Sequence, residues 1–137
     1  MDNFKYYNDT FGHYVGDKIL VKFSKRLKKE LNKNDIAVRY GGDEFIMIKE
    51  MTDIDEIVQM VSIFSESIKT DFRADVMKEI DSEVDIPDNK QLSCSIGISK
   101  LSCKTKEEIN DALRLADKGL YIVKRRNKGG YELIEDL

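Results

Sequence analysis

The segment 38–48 constrains the fold most, because a pair of glycines separates an alternating stretch from a strand of four apolar residues. This pattern predicts a β-hairpin with Gly41-Gly42 as its two-residue turn. Asp43 and Glu44 follow the glycines directly, at the start of the predicted second strand. Two adjacent acids repel each other and add no packing, so a cation is expected to compensate them. Because glycine has no β-carbon, a large ligand can lie against this turn, and we expect a metal-bound phosphate ester there.

The composition is typical of one soluble globular domain. The chain has 137 residues, of which 41% are hydrophobic and 36% are charged, so we expect residues 1–137 to form a single domain with one core. The formal net charge of −3 gives no general attraction for nucleic acid or for a membrane surface. No apolar run approaches the length of a bilayer span and no signal peptide is visible, so we expect a cytoplasmic protein.

Hydrophobic periodicity predicts three helices and, with the hairpin, four strands. The predicted helices cover about 15–31, 57–68 and 109–123. The predicted strands after the hairpin cover 92–98 and 131–134. Either Asp53 or Asp55 is expected to cap the second helix. Cys94 alternates with serines in the third strand and is expected to be a small core residue rather than part of a disulfide framework. Residues 71–90 are less regular and predict a short helical piece followed by a loop.

The element order predicts the fold class. Helix, hairpin, helix, strand, helix and strand fit an α+β protein, in which helices pack on a mainly antiparallel sheet of ferredoxin-like kind. Residues 1–5 show no strand pattern, although a strand would be expected before the helix at 15–31. The sheet predicted from the pattern therefore has four strands, two of which form the local hairpin.

Several short motifs occur in the order found in the GGDEF family of diguanylate cyclases. They are the hairpin and the segments 2–5, 8–13, 16–17, 95–97 and 116–121. The chain resembles this family from its first residue to about residue 130. The resemblance implies a five-stranded sheet related to nucleotidyl-cyclase and polymerase palm domains. It also implies condensation of two GTP molecules into cyclic di-GMP, a homodimer with one GTP in each domain, and an upstream sensory or regulatory domain in the full-length protein.

The resemblance gives the hairpin acids and two polar residues their roles. Asp43 corresponds to the acid that binds divalent cations, Mg²⁺ or Mn²⁺, and Glu44 to its neighbour, which binds metal or activates the ribose 3′-hydroxyl. Asn8 and Asp17 correspond to the pair that reads guanine. A carboxylate can accept the two N–H groups of guanine while an amide serves its acceptor edge, and adenine cannot satisfy both.

The resemblance also implies a binding site for the GTP phosphates. Phe4 and Lys5 fall where backbone amides hold the terminal phosphates, and Lys124 and Lys128 match the basic pair of the last helix. Lys128 stands where arginine is common, so it supplies charge without the bidentate fork. The glycines at 41–42 are expected to lie against the substrate.

Simpler interpretations compete at five positions. Helix capping is an alternative for Asn8, Asp9 and Asp17, and for Asp17 taken alone it is favoured by roughly two to one, which the surrounding motif reverses. Arg39 has a weaker case as a phosphate ligand, with a salt bridge to a neighbouring acid as its competitor. His13, the single histidine, is expected to pack the turn after the first short helix.

The first departure from the family lies at the beginning of the sequence. The family pattern has an aspartate immediately before the position of Met1, at the end of a central first strand, and this acid is the partner of Asp43 in holding metal. We therefore expect an N-terminally truncated domain that is a poor or inactive cyclase. The alternative is a degenerate module that binds GTP or a protein partner without catalysis. An open slot in the sheet predicts strand exchange with a neighbouring molecule or a rearranged sheet.

The second departure concerns product inhibition. Many relatives have an arginine three residues before an aspartate upstream of the hairpin, whereas this chain has Asn32 before Asp35. Without the guanidinium fork, feedback binding of cyclic di-GMP is not expected there.

Overall fold

The computed structural model describes residues 1–50, 53–80, 83–102 and 105–135. The helices are α1 Phe4–Phe11, α2 His13–Lys29, α3 Ile54–Ser67, α4 Arg73–Met77 and α5 Lys106–Arg126. The strands are β1 Ile36–Arg39, β2 Phe45–Ile48, β3 Ser95–Ser99 and β4 Gly130–Ile134. A π-helical turn, Ile68–Phe72, joins α3 to α4, and a 3₁₀ turn, Asp88–Lys90, precedes β3.

The strands form two separate pairs. β1 and β2 are antiparallel, with Ile36 opposite Ile48. β3 and β4 are parallel, with Ser95 opposite Gly130, because α5 crosses between them and returns the chain to the same end of the sheet. The mixed α+β class is confirmed. In the described part of the chain the pairing is divided between one antiparallel and one parallel pair, whereas the element order had suggested a mainly antiparallel sheet.

The first two residues lie between the two pairs. The Asp2 N–H donates to the Ser93 carbonyl at 2.8 Å in an isolated antiparallel bridge. The amino group of Met1 donates to the Asp43 carbonyl at 2.6 Å. No named strand connects β2 to β3 within the described residues, so the sheet is interrupted here. Exchange of a strand between molecules stays a prediction.

The three helices predicted from periodicity are present as α2, α3 and α5, but their end residues differ from the prediction. α2 begins at His13, two residues before the predicted start, and α1 has no counterpart in the periodicity-based prediction. The Asp53 side chain accepts from the Asp55 N–H at 2.9 Å, so Asp53 is the N-cap of α3. α4 is the short helical piece expected within residues 71–90. In the parts of the chain that the structure describes, no helix combines the length and apolar character needed to cross a membrane.

The core lies between the first two helices, the α3–α4 segment and the chain leading into β3. The ring of Phe23 is at its centre, 5.0 Å from Phe45, 5.8 Å from Phe64 and 5.9 Å from Phe72 between centroids. Cys94 is buried there, as predicted, and burial raises the pKa of its thiol to about 12. This thiol stays protonated at neutral pH and is inert.

α5 packs so closely on the β3–β4 pair that the backbone of the helix contacts the backbone of β3. A β-carbon on Gly97 would stand 1.7 Å from the Ala116 carbonyl oxygen, and one on Gly119 would stand 3.2 Å from the Gly97 Cα. The Ser99 hydroxyl donates to the Ala112 carbonyl at 2.7 Å. The serine and glycine face of β3 is therefore covered by α5, and this packing places the end of α5 beside the start of α1.

Candidate active site

The loop at the hairpin tip is longer than predicted. Arg39 and Phe45 form the last pair of the ladder, so residues 40–44 connect the strands. The Tyr40 N–H donates to the Glu44 carbonyl at 2.8 Å and closes this loop. The prediction of a two-residue turn is wrong, because both acids belong to the loop rather than to the second strand.

Arg39 fixes the shape of this loop. Its guanidinium donates to the Gly42 carbonyl from Nε at 3.1 Å and from Nη2 at 2.8 Å, and Nε lies 3.2 Å from the Gly41 carbonyl. The salt bridge considered for Arg39 is not observed, since the described residues give it no acidic partner, and Arg39 does not line the cavity described next. Loop carbonyls compete for its guanidinium and hold it at the turn.

An open cavity of about 510 Å³ lies between the hairpin tip, the start of α1 and the end of α5. Five of the predicted site residues line it: Asp43, Phe4, Lys5, Lys124 and Lys128. The other predicted residues lie outside this lining: Asn8, Asp17, Gly41, Gly42 and Glu44. The structure also places residues there that the sequence did not single out as ligands: Met1, Asp2, Asn3, Tyr6, Asp9 and Lys90.

The start of α1 gives the cavity its backbone donors. Asn3 precedes the helix with a left-handed φ of 63°, a conformation that asparagine tolerates better than most residues. Its side chain makes no capping bond and the first turn holds no acid, so the N–H groups of Phe4 and Lys5 are available to an anion. The helix dipole adds to this preference for negative charge.

Asn3 also connects the segments around the cavity. Its Nδ2 donates to the Gln91 carbonyl at 2.8 Å, and its Oδ1 accepts from Nζ of Lys128 at 3.0 Å. One side chain thus fixes the start of α1 relative to the 3₁₀ turn and to the residues after α5. The periodicity of the sequence contains no trace of this role, because both partners lie far away along the chain.

Asp2 is a structural residue in this arrangement. It is 3% exposed, and its carboxylate accepts from the Ser93 hydroxyl at 2.7 Å, the Ser95 hydroxyl at 2.9 Å and the Gly129 N–H at 3.1 Å. These bonds attach the first residues to β3 and to the turn before β4. The carboxylate of Asp2 is therefore already bonded to protein groups.

Asp43 is the acid of the hairpin loop that lines the cavity. Its side chain is 37% exposed, and Oδ2 lies 3.8 Å from the amino group of Met1. Glu44 is exposed, and its Oε2 stands 3.1 Å from where a β-carbon on Gly41 would lie, so it folds over the loop backbone. The described residues contain no cluster of three metal-ligating side chains. One carboxylate fits Mg²⁺ when substrate phosphates complete the coordination.

Asn8 and Asp17 lie on α1 and α2, which pack against each other. The Asn8 side chain rests on Gly16, where a β-carbon would stand 1.6 Å from Oδ1. The N-cap of α2 is Gly12 with no side-chain capping bond, so the capping alternative for Asp17 is not observed. Asp17 is exposed and Asn8 is half-buried, which leaves both accessible to a ligand.

Comparisons with known proteins identify the family of this chain. The family model described as "Diguanylate cyclase, GGDEF domain" matches residues 1–130. The chain belongs to the GGDEF family. Diguanylate cyclase DosC of Escherichia coli K12 is 35% identical over 133 residues, which are 97% of this chain and 26% of that protein. An uncharacterized Bacillus subtilis protein, YtrP, is 27% identical over 128 residues, 93% of this chain and 19% of its own length. This GGDEF domain thus spans about a quarter or less of these two relatives.

Two solved structures share the fold of this GGDEF domain. The GGDEF domain of DgcB from Caulobacter crescentus, in complex with c-di-GMP, matches with a TM-score of 0.69 at 22% identity and covers 98% of this chain and 72% of that one. A microbial GGDEF domain described in a novel interaction mode with cyclic di-GMP matches with a TM-score of 0.64 at 25% identity, over 99% of this chain and 74% of that one. The fold class is therefore confirmed.

Replacing Gly16 in this GGDEF domain by alanine is expected to weaken the binding of GTP, the ligand that the resemblance implies for Asn8, about tenfold without loss of stability. The new methyl group displaces the amide of Asn8, and losing a buried hydrogen bond costs about 1–2 kcal/mol. Alanine is a better helix former than glycine, so the thermal midpoint is expected to stay or rise. GTP titration calorimetry and thermal unfolding measure the two effects.

The double variant Gly16→Ala/Asn8→Ala provides the control. If Gly16 acts through Asn8, the double variant binds GTP as weakly as Asn8→Ala alone, and the two effects are not additive. Additive losses would contradict this role for Gly16.

Asp35 lies three residues after Asn32, the position at which many relatives have an arginine, and it forms an internal ion pair. Its Oδ2 lies 2.6 Å from Nζ of Lys49, with both side chains almost fully buried. It also accepts from the backbone N–H groups of Asn32 at 2.7 Å and Glu50 at 3.0 Å. The Lys49 ammonium, with help from these N–H groups, lowers the pKa of Asp35 from 3.8 to about 2. These bonds join the loop after α2 to the end of β2.

We expect Asp35 to make this GGDEF domain acid-sensitive. A lowered folded-state pKa contributes stability above the unfolded pKa of 3.8, and the contribution is lost as the pH falls towards about 2. The thermal midpoint of the wild type should therefore exceed that of Asp35→Asn by a constant amount near neutral pH, and the gap should close through this acidic window. A gap that stayed constant down to the folded pKa would refute the assignment. Circular dichroism melts over a pH series measure it.

Proposed function

We propose that this domain condenses two GTP molecules into cyclic di-GMP with release of pyrophosphate. One observation carries the proposal: lysines, helix N–H groups and a carboxylate line a single cavity at the start of α1. The same helix carries Asn8 one turn further along. A nucleotide can therefore place its phosphates at the beginning of α1 and its base beside Asn8 and Asp17.

The phosphate tail is bound by backbone and lysines. The N–H groups of Phe4 and Lys5 face the terminal phosphates, and Lys124 and Lys128 neutralise their charge. Gly42 leaves the backbone of the hairpin loop open to the substrate, since a β-carbon there would meet no atom within 4 Å, whereas Glu44 folds over Gly41. Asn3 keeps Lys128 close to the helix start, so the charge is positioned before the substrate binds.

Guanine is selected by the two polar residues. The carboxylate of Asp17 accepts N1–H and the exocyclic amino group, and the amide of Asn8 donates to the acceptor edge of the base. Adenine would leave these groups unpaired, which is a basis for discrimination. The contact with Gly16 holds the Asn8 amide in one place.

Mg²⁺, or Mn²⁺, fits the site with Asp43 as ligand and Glu44 as its neighbour. When bound, such a cation lowers the pKa of an attacking 3′-hydroxyl and neutralises the leaving pyrophosphate. Asp43 supplies the negative oxygen at the cavity wall, and Glu44 is its neighbour in the same loop. The 3′-hydroxyl of one GTP must attack the α-phosphate of the other, so two domains face each other in a homodimer.

A second candidate is GTP binding without condensation. Asp2 and Asp9 also line the cavity, but Asp2 is bonded to serine hydroxyls and a backbone N–H, and Asp9 pairs with Lys5. Asp43 is then the single cavity carboxylate free of bonds to protein side chains in the described part of the chain. A site with one free carboxylate binds metal–GTP more readily than it orients two cations for catalysis.

Incubation with GTP and Mg²⁺, followed by chromatography and mass spectrometry, separates the two candidates. The cyclase function predicts cyclic di-GMP and pyrophosphate, with a rate that rises more steeply than the protein concentration because two domains cooperate. GTP binding by calorimetry with no product at any protein concentration would overturn it in favour of binding alone. We place the reaction in the cytoplasm. Because the relatives are much longer than this chain, we also propose that further domains control the reaction.

A further inference from the structure

We infer that Lys90 is an additional phosphate-binding residue of the cavity, which contacts the triphosphate of GTP. This inference rests on the proposed function and assigns a role to the segment 71–90. Lys90 ends the 3₁₀ turn Asp88–Lys90 and lines the cavity together with Phe4, Lys124 and Lys128. Neither Asn8 nor Asp17 lines this cavity. Lys90 therefore lies with the residues proposed to bind phosphate and apart from those proposed to read guanine.

The backbone around Lys90 is held in place. The Lys90 N–H donates to the Pro87 carbonyl at 2.8 Å. The neighbouring Gln91 donates from its side chain to the Ile86 carbonyl at 2.9 Å, and its own carbonyl accepts from Asn3 at 2.8 Å. Lys90 is thus connected to the start of α1, the proposed phosphate-binding helix, through the neighbouring Gln91 and its hydrogen bond with Asn3.

The ammonium group of Lys90 is available to a ligand. Lys90 is half-buried, and Nζ lies 5.9 Å from the centre of the Tyr6 ring, near the outer limit of a cation–π contact. No acid among the described residues pairs with it, whereas Lys5 in the same cavity is paired with Asp9. A partly desolvated ammonium without a carboxylate favours an anion.

The charges of the cavity point to a polyphosphate. Its lining holds the lysines 5, 90, 124 and 128 against the aspartates 2, 9 and 43. Without Lys90 these side chains balance, and with it they carry one excess positive charge, to which the Met1 amino group in the same lining adds another. A nucleotide triphosphate with its metal remains negative, so this excess is complementary to the bound substrate.

Calorimetric titration of GTP, GMP and inorganic tripolyphosphate tests the inference, with Mg²⁺ present throughout. Lys90→Gln is expected to weaken GTP and tripolyphosphate binding about fivefold, to leave GMP nearly unchanged, and to reduce the salt dependence of binding. Lys90→Arg keeps the charge and is expected to bind GTP close to the wild type. Lys33→Gln, an exposed lysine away from the cavity, controls for net charge.

Three results would overturn the inference. GTP binding by Lys90→Gln at the wild-type affinity is one, and an equal loss for GMP is the second. The third is a loss in Lys90→Arg as large as in Lys90→Gln, since charge would then not be the cause. A wild type that binds GTP but forms no cyclic di-GMP refutes the cyclase function alone, whereas a wild type that binds neither GTP nor tripolyphosphate refutes both.

Discussion

Gly97→Ala is expected to destabilise the domain by about 3 kcal/mol or more, at the upper end of overpacking effects. The added β-carbon would stand 1.7 Å from the Ala116 carbonyl oxygen and 2.6 Å from the Leu120 backbone nitrogen. These are backbone atoms of one helix, so no side chain can rotate to make room. α5 must move away from β3, and the serine–carbonyl bond from Ser99 to Ala112 is lost with it.

Thermal unfolding measures this effect. A loss of this size is a large fraction of the 5–15 kcal/mol typical of a domain, and the midpoint should fall by about 10 °C. Gly130→Ala is the matched control in the neighbouring strand, because a β-carbon there meets no atom within 4 Å. The control should melt within a few degrees of the wild type. A Gly97→Ala midpoint equal to that of the control would disprove the close packing of α5 on β3.

Asp43→Asn is expected to lower cyclic di-GMP formation about 100-fold or more. Asparagine has nearly the same shape, but it removes the negative oxygen that the cavity offers to a divalent cation, and a loss of about 3 kcal/mol in transition-state stabilisation corresponds to this factor. The Mg²⁺ dependence of GTP binding should weaken as well, and this second readout applies even to a domain that binds GTP without condensing it.

Two controls keep the Asp43 result interpretable. Asp85→Asn removes an exposed acid away from the cavity and should leave both readouts unchanged. Thermal unfolding of Asp43→Asn tests whether loss of the 3.8 Å contact with the Met1 amino group disturbs the fold. Wild-type turnover and unchanged Mg²⁺ dependence in Asp43→Asn would show that the metal is held elsewhere.

The extent to which the sequence predicted the fold follows from the range of the interactions involved. α2, α3 and α5 were predicted because their apolar residues recur at helical spacing, which is a local property. The parallel pairing of β3 with β4 was not predicted, because it depends on the path of α5. The hairpin was predicted, but the length of its loop was not, because hydrogen bonds from Arg39 and Tyr40 decide it.

The candidate site shows the same division. The motif order predicted Asp43, Lys124 and Lys128, and all three line the cavity. Asn3 and Lys90 were missed as site residues, since their roles arise from contacts between the start of α1, the 3₁₀ turn and the end of α5. No spacing pattern along the chain brings such distant segments together.

The sequence by itself determined the family and the mixed α+β class, and it supplied the acids and lysines of the proposed site, because these features depend on residue types at short spacings. The tertiary structure decided how they are held. It showed that Asp2 is a buried anchor, that Asp35 is engaged by Lys49, and that the small residues of β3 face α5 rather than solvent. Each of these depends on which surfaces meet in the folded chain. The alternation of small and apolar residues along β3 is compatible with a small-residue face that meets either a helix or solvent.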